Sequence, residues 1–166
     1  MFKNLKIGVR LGLGFGFVLI LLLIIAALAF TRVGALNDEI ADLVGDKFPK
    51  TVAANDVIDQ LNIVARVTRN ALLTAKQEDA IAELGRIPPA SKIISERLEK
   101  LEKTITSDEG KKALAVVTAA RKEYVADLNK LRELINTQKR EEATVLMFGS
   151  MRKTQADYIE IGRAHV

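Results

Sequence analysis

The hydrophobic pattern begins with one uninterrupted apolar run, Leu11–Phe30, which contains no charged residue and no proline. A helix rises about 1.5 Å per residue, so this run spans roughly the 30 Å hydrocarbon core of a bilayer. Lipid offers the backbone no hydrogen-bond partners, so a run in lipid must be helical. The flanking basic residues are Lys3, Lys6 and Arg10 before the run and Arg32 after it. The positive-inside rule therefore predicts a cytoplasmic stub at 1–10, a transmembrane helix at 11–30 and an external remainder.

Two other interpretations of the apolar run are a cleaved signal peptide and a buried core helix. The basic start and the Ala27-Leu28-Ala29 triplet fit a signal peptide, but the run is longer than the usual about 7–15 residues. A core helix is usually shorter and polar on one face. Gly8, Gly12 and Gly16 share one helix face, a spacing that lets two membrane helices approach closely. We therefore predict an anchor with a glycine face for helix packing.

The chain after the anchor has the spacing of amphipathic helices. An apolar stripe continues from Val33 to Val44 and is interrupted at Phe48-Pro49, where we predict a kink or a short break because proline removes a helical hydrogen bond. From Thr51 onward, steps of three and four residues predict the first helix of a bundle. The predicted seam is Ala54, Ile58, Leu61, Ala65, Thr68 and Leu72, widened by Val57, Val64 and Ala71.

Three further amphipathic segments follow, at 87–105, at about 109–136 and from about 141 onward. Pro88-Pro89 stands near the start of the first of these segments, where a helix tolerates proline, and we expect a frayed turn before it. Ser107 or Asp108 is a suitable N-cap for the next segment. The sequence has no alternating strand pattern. Four helices with short connections predict an all-α, up-down antiparallel four-helix bundle over 31–160.

The last six residues, 161–166, read IGRAHV and do not continue the bundle pattern. This peptide is the translation, in one frame, of a common short-read sequencing adapter. We interpret it as an artefact, so that the only histidine, His165, is not native. On this interpretation the fourth helix is truncated, and the gene continues past Glu160 through a second apolar run of about 20 residues. The alternative is an ordinary C-terminus.

Composition and charge exclude several functions. The chain has no cysteine, which rules out disulfides, thiolate metal sites and cysteine nucleophiles. Without cysteine or a native histidine no nucleophile has its usual base, so we predict that the protein is not an enzyme and uses no cofactor. The net charge of +4 comes from the two ends, because 31–160 holds 21 basic and 21 acidic residues. A neutral domain with interspersed charges is not expected to bind nucleic acid.

Four acidic residues cluster after the anchor, at Asp38, Glu39, Asp42 and Asp46. Helical spacing places Asp38 and Asp42 on one face, where the two carboxylates could hold a divalent cation weakly. A solvated helix face is the plainer interpretation, and we predict no metal site.

Arg66 and Arg69 are the most informative polar pair in the sequence. Spaced three residues apart, they project from one helix face at the edge of the seam, with Asn70 beside them. Guanidinium groups bind carboxylates bidentately, so the pair predicts a clamp for an anionic or zwitterionic small molecule where two subunits meet. The alternative is a pair of surface arginines that contact acids on an adjacent helix.

Several segments resemble a known family. The opening MFKNLKIGVRLGLGFGFVLILLLIIAAL resembles the N-terminus of bacterial methyl-accepting chemotaxis proteins, and LNIVARVTRNALL, RLEKLEKTITSDEGKKAL and AARKEYVADLNKLREL resemble their four-helix-bundle ligand-binding domain. The resemblance covers nearly all of 1–160. It implies a homodimeric receptor of the bacterial inner membrane whose bundle lies in the periplasm or outside the cell. Such a receptor detects a small molecule and signals to a cytoplasmic chemotaxis histidine kinase and its adaptor.

The resemblance also bears on the ligand. In the aspartate-receptor branch of the family, arginines on the first bundle helix hold the ligand carboxylate; Arg66 and Arg69 fall in a comparable stretch with a different spacing. No methylation segment and no kinase-contact tip is found in the sequence. Two other functions therefore stay open, namely the input domain of a sensor histidine kinase or cyclase, and a non-signalling membrane-anchored structural or adaptor protein.

Overall fold

A computed structural model describes the backbone of residues 6–164 and the side chains of residues 6–159. This part of the chain is helical and contains no strand. The elements are α1 (Ile7–Asp42), a π-helical segment π1 (Leu43–Lys47), α2 (Phe48–Leu73), α3 (Gln77–Leu84), α4 (Ile87–Thr104), α5 (Asp108–Asn136), α6 (Arg140–Leu146), a second π-helical segment π2 (Met147–Met151) and α7 (Arg152–Ala164). They form two compact units, one that ends at Lys47 and one that begins at Phe48.

The first unit consists of α1 and π1. None of the residues in α1 is buried, and its leucines, isoleucines and phenylalanines are exposed along the whole predicted span. Within the described part of the chain, one helical segment is long and apolar enough to cross a membrane, and α1 contains it. The predicted long apolar first helix is thus confirmed, and it extends well beyond Phe30, as the stripe from Val33 to Val44 predicts.

The predicted interruption at Phe48-Pro49 takes the form of a π-helical turn rather than a break. π1 ends at Lys47, and Pro49 lies in the first turn of α2. Proline has no N–H to give to the carbonyl four residues earlier, and a π-helical turn replaces this bonding pattern with bonds five residues apart. The wider turn therefore accommodates the proline locally, and the helical backbone does not have to end there.

The second unit is the four-helix bundle that the periodicity predicts. Its four long rods are α2, α4, α5 and the combination of α6, π2 and α7; α2 packs along α4, and α5 packs along α7. Polar contacts fix the directions as antiparallel. Arg97 Nε, late in α4, lies 2.6 Å from a carboxylate oxygen of Asp56, early in α2. Thr154 Oγ1 donates to Asp127 at 3.0 Å, which joins α7 to the middle of α5.

The buried stripe of α2 differs from the predicted seam by about one position. Six of the nine predicted positions are buried, and Ala54, Ile58 and Leu72 are half-buried. Ala54 and Leu72 still pack against the core, and α2 makes its largest helix contact with α4. The buried residues of α2 are Ala53, Val57, Leu61, Val64, Ala65, Val67, Thr68 and Ala71. The rest of the core comes from α3 to α7, and includes Leu84, Ile87, Ile94, Leu98, Leu101, Tyr124, Leu128, Leu131, Ile135, Met147, Met151 and Tyr158.

A short helix, α3, lies where the sequence analysis expects only a frayed turn. Its pattern is too short for periodicity to reveal, but it buries Ala80 and Leu84. α4 then begins at Ile87 with Pro88-Pro89 in its first turn, as expected. Ser107 is the N-cap of α5, since its Oγ accepts the N–H of Gly110 at 3.2 Å.

The α2–α3 and α5–α6 connections are tied together by side chains that reach across. Arg140 Nη1 donates to the carbonyl of Leu72 at 3.1 Å and also to the carbonyl of Thr74. Gln77 Nε2 donates to the carbonyl of Ile135 at 2.8 Å. These donors satisfy carbonyls that a helix leaves free at its C-terminus.

The backbone of α7 stays helical to Ala164, which lies inside the predicted artefact 161–166. The side chains from residue 160 onward, and the whole of 165–166, lie outside the described residues. The artefact, the non-native His165 and the truncated fourth helix therefore stay predictions.

Candidate ligand-binding groove

The structure separates the three residues of the predicted clamp. On a helix of 3.6 residues per turn, Arg66 lies about 160° from both Val64 and Thr68, which are buried. Arg66 therefore projects away from the core and is exposed. Asn70 lies on the shoulder of α2 that faces α3, where its Nδ2 donates to Glu83 Oε2 at 3.4 Å. Arg69 lies on the opposite shoulder, beside α7.

Arg69 lines an open groove of about 710 Å³ between α2 and the fourth rod of the bundle. The groove holds a second arginine, Arg152, at the start of α7. The lining residues are Ala65, Thr68, Arg69, Met147, Phe148, Met151, Arg152, Gln155, Ala156 and Ile159. All of them belong to the second unit, so the groove is formed within one bundle.

The charged side chains of the groove are both arginines. None of its described lining residues is acidic. Arg69 Nε donates to the carbonyl of Ala65 at 3.0 Å, which holds the side chain along its own helix. Within the described residues, neither Arg69 nor Arg152 makes a salt bridge with a carboxylate. The hydroxyl of Thr68 donates to carbonyls of its own helix, so the remaining polar groups of the groove are the two guanidinium groups and the Gln155 amide.

The second π-helical segment forms one wall of this groove. Gly149 within π2 has φ −92° and ψ −111°, far from the ψ of about −42° of an α-helix. Met147 and Met151 on either side of the kink are buried, which anchors both ends of π2 in the core, whereas the side chain of Phe148 is 65% exposed.

Two buried tyrosines lie next to the groove. The rings of Tyr124 on α5 and Tyr158 on α7 have centroids 6.0 Å apart and are tilted by 48°. Their hydroxyls make no hydrogen bond within the described residues. Burial raises the pKa of Tyr124, which the guanidinium of Arg69 partly offsets. Burial likewise raises the pKa of Tyr158 to about 12, with a smaller opposing effect of Arg121. Both phenols are therefore neutral donors at physiological pH.

The glycines and the acidic cluster of the first unit form no site within the single chain. A Cβ placed on Gly8, Gly12 or Gly16 would meet no atom within 4 Å, so the predicted glycine face is open. In the acidic cluster, Asp42 Oδ2 lies 2.9 Å from Lys47 Nζ. Within the described range, no group of three or more His, Cys, Asp or Glu side chains is placed to hold a metal ion.

The half of the groove that lies on the fourth rod was not predicted from the sequence. The irregular pattern there hides a stripe at steps of three and four residues, Phe148, Arg152, Gln155 and Ile159, beside the buried positions Met147, Met151 and Tyr158. Arg152, the one charged residue of this stripe, was the feature of the sequence that pointed to a binding site. The sequence does not show that the stripe lies next to Arg69.

One family comparison covers nearly the whole chain. Residues 4–161 match the family described as a four helix bundle sensory module for signal transduction. No curated protein and no solved structure matches the chain significantly. The match agrees with the all-helical architecture and with the long apolar first helix of the structure. The chain therefore belongs to the family of four-helix-bundle sensory modules of methyl-accepting chemotaxis proteins.

Proposed function

We propose that the chain is the sensory input module of a transmembrane chemoreceptor. In this proposal α1 anchors the bundle in the bacterial inner membrane, and the bundle detects an external anionic or zwitterionic small molecule. The observation that carries the proposal is the groove with Arg69 and Arg152, which has cationic groups without described acidic partners on the first and fourth rods of the bundle. The family supports a signalling role, because its members are sensory modules.

The position of the groove suggests how a ligand could produce a signal. A ligand changes a conformational equilibrium only if it binds the two conformations with different affinities. An anion that contacts Arg69 and Arg152 together would favour the arrangement of α2 and α7 that brings both guanidinium groups to it. Charge-assisted hydrogen bonds contribute on the order of 1.5–3 kcal/mol each, and a micromolar ligand needs about 8 kcal/mol in all. Two such bonds together with apolar contacts suffice for that affinity.

The proposal includes a homodimer that signals to a cytoplasmic histidine kinase and its adaptor. Gly8, Gly12 and Gly16 offer an open face of α1 for close helix packing between two copies. Arg66 projects outward from α2, so it would contact a ligand only if a second copy covered that face. Asn70 would need to leave Glu83 to take part. Of the three residues of the predicted clamp, Arg69 is therefore the one that we propose to contact the ligand.

A hybrid receptor tests this function. Residues 1–160 are joined to the second membrane helix and the cytoplasmic half of a characterised chemoreceptor, and kinase activity is measured in cells exposed to a panel of carboxylates and amino acids. We expect at least one compound to change kinase activity, and Arg69→Ala to weaken the response tenfold or more. A hybrid that controls the kinase but whose response is unaffected by Arg69→Ala and Arg66→Ala would contradict the arginine site. Recovery of the full gene with a catalytic kinase or cyclase domain would instead favour those outputs.

A further inference from the structure

We propose that the groove between α2 and α7 selects a monoanion with an apolar body, such as an aryl-alkanoate. Arg69 and Arg152 bind the anion, and Phe148 and Ile159 contact the apolar body. The inference rests on the proposed sensory function and specifies the chemical class of its ligand.

The charge of the groove decides against a zwitterion. An amino acid presents an ammonium group beside its carboxylate, and a partly buried ammonium needs a carboxylate or several carbonyl partners. None of the described residues that line the groove has a carboxylate side chain, and the two charged side chains are both arginines. A ligand without the ammonium group is therefore expected to bind more tightly, because the two guanidinium groups then repel no positive charge on the ligand.

The lining of the groove decides against a small hydrophilic dianion. Six of its ten described lining residues are apolar: Ala65, Met147, Phe148, Met151, Ala156 and Ile159. Met147 and Met151 are buried, so Phe148, Ala156 and Ile159 supply the apolar surface that is open to a ligand. Phe148 is 65% exposed, so a ligand ring stacked on it would remove apolar surface of both partners from water.

The size of the groove agrees with this class of ligand. Small-molecule sites commonly measure about 300–1,000 Å³ and combine apolar walls with a few polar groups that set orientation. At about 710 Å³ the open groove has room for an anion that carries a ring. Such an anion would occupy more of this space than a four-carbon dicarboxylate.

Four matched compounds test the ligand class by calorimetry on the full chain in nanodiscs. They are 3-phenylpropanoate, its neutral amide, phenylalanine and succinate. We expect 3-phenylpropanoate to bind at least tenfold more tightly than each of the other three. The amide lacks the negative charge, and phenylalanine adds an ammonium group. Succinate lacks the apolar body. Each comparison therefore measures how one of these groups affects affinity. Equal or tighter binding of phenylalanine or succinate, or no binding of 3-phenylpropanoate at millimolar concentration, would overturn the proposal.

Substitutions locate the site and separate this inference from the proposed function. Arg69→Gln and Arg152→Gln should each weaken 3-phenylpropanoate binding tenfold or more, and Phe148→Ala should weaken it severalfold. Lys153→Gln, which replaces an exposed cation next to Arg152 that does not line the groove, is the matched control and should change affinity less than twofold. Arg66→Gln tests the other arginine of the predicted clamp. Circular dichroism of each variant checks that the bundle is folded, and all of these sites are exposed. An Arg66 effect as large as that of Arg69 would overturn the assignment of the site to the groove.

The two proposals fail in different ways. If the hybrid receptor responds to a hydrophilic anion in an Arg69-dependent but Phe148-independent manner, the sensory function stands and the ligand class is wrong. If 3-phenylpropanoate binds as expected but never changes kinase activity in the hybrid, the ligand class stands and the proposed function is wrong.

Discussion

At the scale of single residues, the two tyrosines provide the most direct probe of the bundle core. Tyr124 and Tyr158 are both only 2% exposed, and they are the only tyrosines in a chain that has no tryptophan. Their buried hydroxyls lack hydrogen-bond partners among the described residues, so ionisation would leave a charge in an apolar environment. Ultraviolet absorbance of tyrosinate therefore reports on this cluster alone.

We predict that neither tyrosine of the folded chain ionises at pH 10, and that the protein loses stability as the pH rises from 10 through about 12. Burial raises both pKa values above the ordinary value of 10.0, and that of Tyr158 to about 12. The unfolded chain releases its phenolic protons near pH 10 while the folded chain keeps them, so alkaline pH favours unfolding. A spectrophotometric titration of the full chain in micelles, with circular dichroism in parallel, measures both effects.

The same titration in denaturant is the control and should give ordinary tyrosine behaviour. Tyr158→Phe keeps the ring and removes one unpartnered hydroxyl. It should shrink the alkaline loss of stability without lowering the free energy of unfolding at neutral pH, because no hydrogen bond is lost. Ionisation of both tyrosines near pH 10 in the folded protein would show that their hydroxyls are hydrated.

At the scale of single helices, the start of α5 shows how a local motif sets an element boundary. Ser107 Oγ accepts the N–H of Gly110, and a Cβ on Gly110 would lie 2.6 Å from Ile105 Cγ2 and 2.8 Å from Ser107 Oγ. The cap thus depends on a close approach that only glycine permits. Ile105 is half-buried and extends the core under this turn.

We predict that Gly110→Ala lowers the free energy of unfolding by about 1 kcal/mol or more. Helix propensity alone predicts the opposite, a gain of about 1 kcal/mol for alanine. The clash with the β-branched Ile105 and the loss of the Ser107 cap together outweigh that gain, since overpacking costs about 1–3 kcal/mol and a lost cap about 1 kcal/mol. Chemical denaturation of the full chain in micelles measures the difference.

Lys111→Ala is the matched control for this prediction. Lys111 occupies the next position of the same helix turn and is exposed, so its replacement should change stability by less than about 0.5 kcal/mol. Stabilisation by Gly110→Ala would show that helix propensity outweighs packing at this turn.

At the scale of the whole molecule, α1 is the helix that we expect to anchor the bundle in a membrane. The predicted orientation, with the bundle outside the cytoplasm, rests on Lys3, Lys6 and Arg10 before the apolar run. We predict that alkaline phosphatase fused after Asp46 is active and stays in the membrane fraction, because this enzyme folds only outside the cytoplasm. A fusion after Arg10 is the control and should be inactive. An inactive fusion after Asp46 would reverse the orientation, and an active but soluble product would indicate a cleaved signal peptide.

Much of the architecture could be predicted because it depends on local pattern. Apolar spacing and helix length identify α1, α2, α4 and α5, and short connections leave the up-down bundle as the natural topology. Ser107 and Pro88-Pro89 mark helix starts for reasons that involve only a few neighbouring atoms. α3 escaped prediction, because eight residues carry too little periodicity to separate a helix from a turn.

The candidate site depended on the tertiary structure. The sequence by itself determined that Arg66 and Arg69 share one bundle helix at a fixed angle to each other, since a helix has 3.6 residues per turn. Only the packing of α2 against its neighbours decided that Arg69 faces the groove while Arg66 projects outward. Arg152 joins Arg69 only through the fold, because helical periodicity describes the faces of one helix and contains no information about which faces of two distant helices meet.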